Sequence, residues 1–187
     1  QDQWKQEVVR AKNEIESFFK TNVVGYRAPN IYITDWMLDF LIDEGFVYDS
    51  SLANNLFYDK TNLNITQIPR VPFYYSKEGT GEKIMELPWS NCKLFNYYLP
   101  GGGSFFFRLL GRLYFKFLLN QQLALGDTMF YMHPFELSDV PIPIRNKKSA
   151  IYWVGKGEKT LKAMSRLFDD FEGQWCTCKE VYERNKI

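Results

Sequence analysis

Patterns typical of helices and of short strands alternate along the first fifty residues, and this alternation is the strongest constraint on the fold. Apolar residues recur at helical spacing over 1–20, and a short strand is predicted at 23–26. A second helix is predicted at 35–44, with Gly45 as its C-terminal stop, and a second strand at 46–48. Alternation of this kind predicts a parallel sheet covered by helices, either an open doubly wound sheet or a β/α barrel.

The later part of the chain continues the same pattern after a long irregular stretch at 52–83. Strands are predicted at 84–87 and 175–178, and helices at 105–124 and 159–171. Ser104 is the expected cap of the first of these helices.

The helix predicted at 105–124 carries a basic stripe, because Arg108, Arg112 and Lys116 recur every fourth residue. We expect the stripe to extend into solvent while the apolar remainder covers the sheet. A helix on a membrane surface would show a similar pattern, whereas this many charges do not suit a helix that spans a bilayer.

Composition excludes several classes of partner and leaves one question open. The chain has 23 Lys and Arg against 22 Asp and Glu, so no general attraction to nucleic acid or to an anionic membrane is expected. Aromatic residues make up 18% of the chain, which fits either an aromatic core or a sugar-binding cleft. Three cysteines are too few for a disulfide framework, and Cys176 and Cys178 are expected to be free thiols.

The only histidine of the chain, His133, follows a short apolar run at 129–132 that is predicted to be a buried strand. Pro134 cannot donate to a sheet, so the backbone leaves the sheet where the imidazole is displayed. An α/β enzyme presents a catalytic group in this way. The alternative is a histidine that is simply hydrogen-bonded in the interior.

Three predicted strands end in polar or turn-forming residues, at 27–29, 86–90 and 133–134. Active sites of β/α barrels gather at the carboxyl ends of the strands, so a common cleft is predicted. His133 is the candidate general acid or base, and Arg27 is a candidate positioning or charge-stabilising group. Glu86 could orient the imidazole or balance its charge.

Several segments, taken in order, resemble the polysaccharide deacetylases, the NodB-homology or carbohydrate esterase family 4 proteins. The segments are GYRAPN at 25–30, YDSSL at 48–52, ELP at 86–88 and FYMHPFE at 130–136, together with the glycine loop at 101–103. Of these, the ELP segment, the glycine loop and the FYMHPFE segment resemble the branch found in exopolysaccharide gene clusters, which carries an extra C-terminal segment. The resemblance implies an irregular (β/α) barrel that is incomplete in this chain. Residues 1–187 would form one domain, the C-terminal two-thirds of the barrel, with a family-specific extension from about 140 to 187.

The resemblance also implies a reaction, the metal-dependent removal of N-acetyl groups from a polysaccharide. His133 matches the late-strand histidine that protonates the leaving amine, and Arg27 matches the arginine that tethers the catalytic base. The backbone N–H of Asn30 falls where the family helps to hold the oxyanion.

Four further residues are expected on the substrate side of the cleft by a looser match. Trp89 falls near a hydrophobic wall of the acetyl pocket, and Gly102 lies in a glycine loop expected to border the cleft. Tyr26 and Glu86 belong to the matching segments and are expected to contact substrate.

This sequence departs from the family at the metal site. It has no segment carrying the catalytic base and first ligand, and a single histidine cannot supply an HxxxH pair. We therefore expect a fragment, with a divalent metal such as zinc bound in the full-length protein and none by this chain alone. A non-catalytic carbohydrate-binding or assembly module is the main alternative, and a membrane-associated scaffold that uses the basic helix is the third.

Overall fold

The structure is a computed structural model, and it describes residues 1–52, 68–94, 97–101, 103–141 and 153–186. These residues form strands, helices and two single 3-10 turns. The strands are β1 (Gly25–Tyr26), β2 (Tyr48–Asp49), β3 (Phe73–Ser76), β4 (Lys83–Glu86), β5 (Asn91–Leu94) and β6 (Tyr97–Pro100). The helices are α1 (Asp2–Phe19), α2 (Asp35–Asp43), α3 (Ser104–Leu123), α4 (Glu158–Asp170) and α5 (Cys178–Asn185), and the 3-10 turns are Pro29–Ile31 and Pro134–Leu137.

The central sheet has four strands in the order β1-β2-β4-β3. β1, β2 and β4 are parallel, and β3 pairs antiparallel with β4. The fold is therefore α/β, as predicted, with a mixed sheet. In the part of the chain that the structure describes this sheet is open, so a closed barrel is not seen. β5 and β6 form a separate antiparallel hairpin.

The first helix and the second helix cover one face of the sheet. The ring of Trp4 in α1 lies 5.3 Å from Trp36 and 5.6 Å from Phe40, both in α2. Leu41 of α2 is fully buried with Ile84 of β4. The predictions of these two helices are confirmed. Their apolar spacing is a local property of the sequence, and the apolar face that it creates packs on the sheet.

A second core lies between α3 and α4. It contains the fully buried Phe115 and Leu118 of α3 and Leu167 of α4. Helix α3 is interrupted at Gly111, whose φ of 80° and ψ of 171° are not helical. The residue at the N-cap of α3 is Gly103, so Ser104 is inside the helix and the prediction that it caps the helix was wrong.

The basic stripe of α3 does not extend freely into solvent, so that prediction was also wrong. Arg108 Nη2 lies 3.0 Å from Glu136 Oε1, and both side chains are less than 5% exposed. Arg112 and Lys116 contact Asp170 of α4 at 2.6 and 2.8 Å. The stripe therefore joins α3 to its neighbours, through acidic partners that lie far away in the sequence.

Two predicted strands are not formed. The run at 129–132 makes a single parallel bridge, from Met129 to Trp89, instead of a regular strand. At 175–178 the chain enters helix α5, because Thr177 caps it by accepting a hydrogen bond from the Glu180 N–H at 3.2 Å. Cys176 and Cys178 are free thiols, as predicted. Within the described ranges, no helix is long and apolar enough to cross a membrane.

Candidate functional site

A cavity of about 360 Å³ lies at the carboxyl ends of the parallel strands. The strand order and the Trp89–Met129 bridge bring the residues that follow β1, β4 and Met129 to one edge of the sheet. Four residues predicted from the sequence meet there, although they come from three separate segments. The lining consists of Arg27, Ala28, Pro29, Asn30, Ile31, Trp89, Tyr131 and His133.

The guanidinium of Arg27 is held by one hydrogen bond and two aromatic rings. Arg27 Nη2 donates to Ser50 Oγ at 2.7 Å, and its central carbon lies 5.5 Å from the Trp89 ring and 5.2 Å from the Tyr131 ring. Burial lowers the pKa of Arg27 from its ordinary value. An arginine keeps its proton under working conditions even so, and the cavity therefore has a fixed positive charge.

The backbone beside Arg27 is strained. Asn30 and Ile31 have φ values of 55° and 54°, in the left-handed region. This conformation is unusual for a β-branched residue, and Ile31 is held in it by a hydrogen bond from its N–H to the Ala28 carbonyl at 3.1 Å. Ile31 packs against Trp89 and Tyr131. The strained turn thus forms one wall of the cavity and carries the Asn30 backbone with it.

Two serines after β2 connect the strand ends that form the cavity. Ser50 Oγ accepts from Arg27 and donates to the Leu87 carbonyl at 2.7 Å. Ser51 Oγ accepts from the Ala28 N–H at 2.8 Å and donates to Asp49 Oδ1 at 2.7 Å. Residues after β1 and β4 are therefore positioned by side chains of the segment after β2.

The same segment also positions the aromatic wall, through its backbone. Trp89 Nε1 donates to the Ser50 carbonyl at 3.0 Å, and the Trp89 N–H donates to the Leu52 carbonyl at 2.9 Å. The YDSSL segment was noted in the sequence only as part of the family resemblance. Its positioning role was missed, because serine after a strand is a common turn residue.

Glu86 lies beneath the cavity, where it pairs with Asp49. Both side chains are fully buried, and they are register partners in β2 and β4. Burial raises the pKa of both, and the Asp49 charge raises the pKa of Glu86 further. Glu86 Oε2 has no donor among the described groups, which a proton shared with Asp49 accounts for.

Glu86 therefore lies in the interior, whereas the sequence led us to expect it on the substrate side of the cleft. Its Oε1 accepts from the Leu52 N–H at 2.8 Å, and it is not part of the cavity lining. The structure does not bring it to His133, so the expected orientation of the imidazole by Glu86 is not seen.

Tyr26 is also outside the cavity. Its ring packs 6.0 Å from Trp4 and 5.8 Å from Phe46, in the core between α1 and the sheet. Burial is the main cause that raises the pKa of Tyr26 to about 12. Strand residues alternate between faces, so Tyr26 and Arg27 project from opposite sides.

Gly102 lies outside the described residues, but the structure describes its neighbour Gly103. A Cβ placed on Gly103 would lie 2.9 Å from the ring of Tyr131, which lines the cavity. Gly103 also has a φ of 102°. Gly103 therefore approaches the cavity wall closely, and the expectation for Gly102 stays a prediction.

His133 is exposed at the edge of the cavity, and its imidazole is oriented by aromatic rings. The ring stacks on Phe135 at 5.1 Å and meets Tyr131 edge-on at 5.4 Å. The His133 N–H donates to Glu136 Oε2 at 3.2 Å, and Glu136 pairs with Arg108. The buried ion pair therefore positions the backbone that carries the imidazole. This link depends on the tertiary contact between α3 and the turn at 134–137, so the sequence alone does not show it.

The side chains described here do not fit a metal site. Across 1–52, 68–94, 97–101, 103–141 and 153–186, no group of three or more His, Cys, Asp or Glu side chains could hold a metal ion. Asp49 and Glu86 supply only two carboxyl groups, which are buried and paired with each other. No step of the chemistry is therefore assigned to a metal.

Comparison with known sequences places more than half of the chain in one family. Residues 57–183 match the family described as "Domain of unknown function (DUF3473)". The chain belongs to the DUF3473 family. No curated protein matches this DUF3473 chain.

Comparison with solved structures shows the fold. The DUF3473 chain is similar to a protein from Mycobacterium smegmatis described as a "putative polysaccharide deacetylase", with a TM-score of 0.56 and 15% sequence identity. The match covers 98% of this chain and 56% of that one. The DUF3473 chain therefore has a deacetylase-like fold, and it spans little more than half the length of that structure.

Proposed function

We propose that this DUF3473 chain forms the substrate-positioning and proton-donating side of a polysaccharide deacetylase, which hydrolyses N-acetyl groups. The observation that supports the proposal is the shared cavity, in which Arg27 and His133 line about 360 Å³ with the aromatic side chains of Trp89 and Tyr131. Polar groups of this kind that converge in a pocket with aromatic walls are typical of a small-ligand site.

His133 acts in this proposal as the general acid, from the edge of the cavity that it lines. In hydrolysis of an N-acetyl group, a water oxygen adds to the carbonyl carbon, the C–N bond breaks, and the nitrogen leaves with a proton. An imidazole can supply that proton near neutral pH. The stacking of His133 on Phe135 restricts the orientation in which it does so.

Arg27 acts in this proposal as a positioning and charge-stabilising group. Its fixed positive charge favours a carboxylate or a developing oxyanion in the cavity. The strained turn places the Asn30 backbone at the same wall. The catalytic base and the divalent metal that the family resemblance implies would be held by side chains other than those described here.

Acetate release from oligomers of N-acetylglucosamine by the full-length protein tests the proposal. We expect the His133→Ala variant to release acetate about a hundredfold more slowly, because a general acid contributes on this order. Its metal content should stay unchanged, and Phe117→Ala, an exposed change on α3, should leave the rate unchanged. Unaltered acetate release by the His133→Ala variant would contradict the assigned role.

A non-catalytic carbohydrate-binding or assembly module is the second candidate. It is favoured by one observation, the aromatic cavity together with the lack of a metal-holding group among the described side chains. In that case N-acetylated oligosaccharides would bind to the full-length protein without release of acetate. The same assay, run beside a binding titration, separates the two candidates.

A further inference from the structure

A second cavity, of about 390 Å³, adjoins the first and shares the His133 side chain with it. The remaining lining of the two cavities is different, so His133 stands between them. The second cavity is bounded by the 130–137 segment, by α4 and by the chain that follows α4. No residue that we have assigned to the proposed reaction, apart from His133, belongs to it.

The second cavity is apolar and partly aromatic. Its lining residues other than His133 have no charged side chain, and among them are Met132, Leu137, Met164, Phe168 and Trp175. Phe168 is 39% exposed and Trp175 is 38% exposed. Two aromatic side chains are thus partly open to solvent in one concave surface.

The aromatic side chains are held in place by their own contacts. Trp175 Nε1 donates to the Phe168 carbonyl at 3.1 Å, and the Trp175 ring lies edge-on to Phe168 at 4.6 Å and to Phe130 at 6.1 Å. A fixed indole loses little conformational entropy when a ligand stacks on it. The surface is therefore organised before a ligand binds.

We propose that the second cavity is a saccharide subsite, which holds a sugar unit next to the one whose N-acetyl group reacts in the first cavity. This inference rests on the proposed function, and it names the substrate as a chain of at least two sugar units. The subsite would be built largely by α4 and Trp175.

The chemistry of the lining favours a neutral sugar. Sugar rings have weakly polar faces that pack on aromatic side chains, and partly exposed rings leave room for this stacking. The lining has no charged side chain to attract an ionic ligand, apart from a histidine that is shared with the first cavity. Because His133 lines both cavities, sugar units held in them would be neighbours along one polymer.

A binding titration with two probes, the monomer and the β-1,4-linked tetramer of N-acetylglucosamine, tests the subsite in the full-length protein. We expect the tetramer to bind more tightly than the monomer. Trp175→Leu keeps an apolar side chain but removes the aromatic face, so it should weaken tetramer binding roughly tenfold and leave monomer binding unchanged. Phe168→Leu is a second variant, and Phe117→Leu is a matched control on α3 that lines neither cavity.

Four results would overturn the subsite. Equal binding of monomer and tetramer would overturn the subsite and leave the proposed function intact. The same holds if neither leucine variant weakens tetramer binding, provided that thermal melting shows both variants to be folded. Binding of laurate that depends on Trp175 would show an acyl site instead. If neither saccharide binds, the subsite is absent, and acetate release then decides separately whether the proposed function falls.

Discussion

The hydroxyl of Ser50 offers the sharpest test of how the cavity is held together. The side chain belongs to a residue that is only 2% exposed, and it makes two hydrogen bonds of 2.7 Å, one from Arg27 Nη2 and one to the Leu87 carbonyl. Ser50→Ala removes both at once. It leaves a guanidinium N–H and a carbonyl oxygen that must find other partners.

The expected loss in the free energy of unfolding follows from these two hydrogen bonds. A hydrogen bond to a charged group contributes about 1.5–3 kcal/mol, and a neutral one about 0.5–1.5 kcal/mol. Arg27 lies on an open cavity, so water can replace part of the first bond. We therefore expect the free energy of unfolding to fall by about 2–3 kcal/mol, which lowers the melting temperature of a chain of this size by roughly 4–12 °C.

Thermal melting and urea unfolding of the Ser50→Ala variant measure this loss. Ser76→Ala is the matched control, because Ser76 is exposed at the end of β3 and its change should stay within about 0.5 kcal/mol. Saccharide binding should weaken in the Ser50 variant, since Arg27 is no longer fixed. A loss no larger than that of the control would refute the argument that Ser50 positions the guanidinium.

Two further predictions concern buried charges. Arg108→Met should reduce the free energy of unfolding by about 3–5 kcal/mol because it leaves the Glu136 carboxylate buried without its cation, and Arg108→Met with Glu136→Leu should recover most of the loss in urea titrations. Failure of the second change to restore stability would contradict this account. Glu86 has a pKa in the folded state that is raised above its unfolded value, so its contribution to stability is present in full at low pH and is lost as pH rises through the folded pKa. Glu86→Gln should therefore flatten the fall in stability that begins as pH rises above 4.5, the ordinary pKa of glutamate. If the stability of the variant, measured in urea titrations, falls as steeply with pH as that of the native chain, the shared proton is ruled out.

Much of the fold could be predicted from the sequence, because periodicity and turn residues act locally. The spacing of apolar residues predicted α1, α2 and α4 to within a residue or two. The short strands at 25–26 and 48–49, and the strand at 83–86, fell within or beside their predicted ranges. The expectation that polar strand ends would gather came from the parallel sheet itself, and the structure brings Arg27 and His133 to one cavity.

Only the tertiary structure decided which partners the polar residues have. The basic stripe of α3 pairs with Glu136 and Asp170, which lie 28 and 54–58 residues further along the chain. Asp49 is buried against Glu86 because β2 and β4 are neighbours in the sheet. A sequence pattern shows which face of a helix or strand a residue occupies. The free energy of a buried charged or polar group depends instead on the group that lies opposite it. That partner is set by packing between segments far apart in the chain, which only the tertiary structure shows.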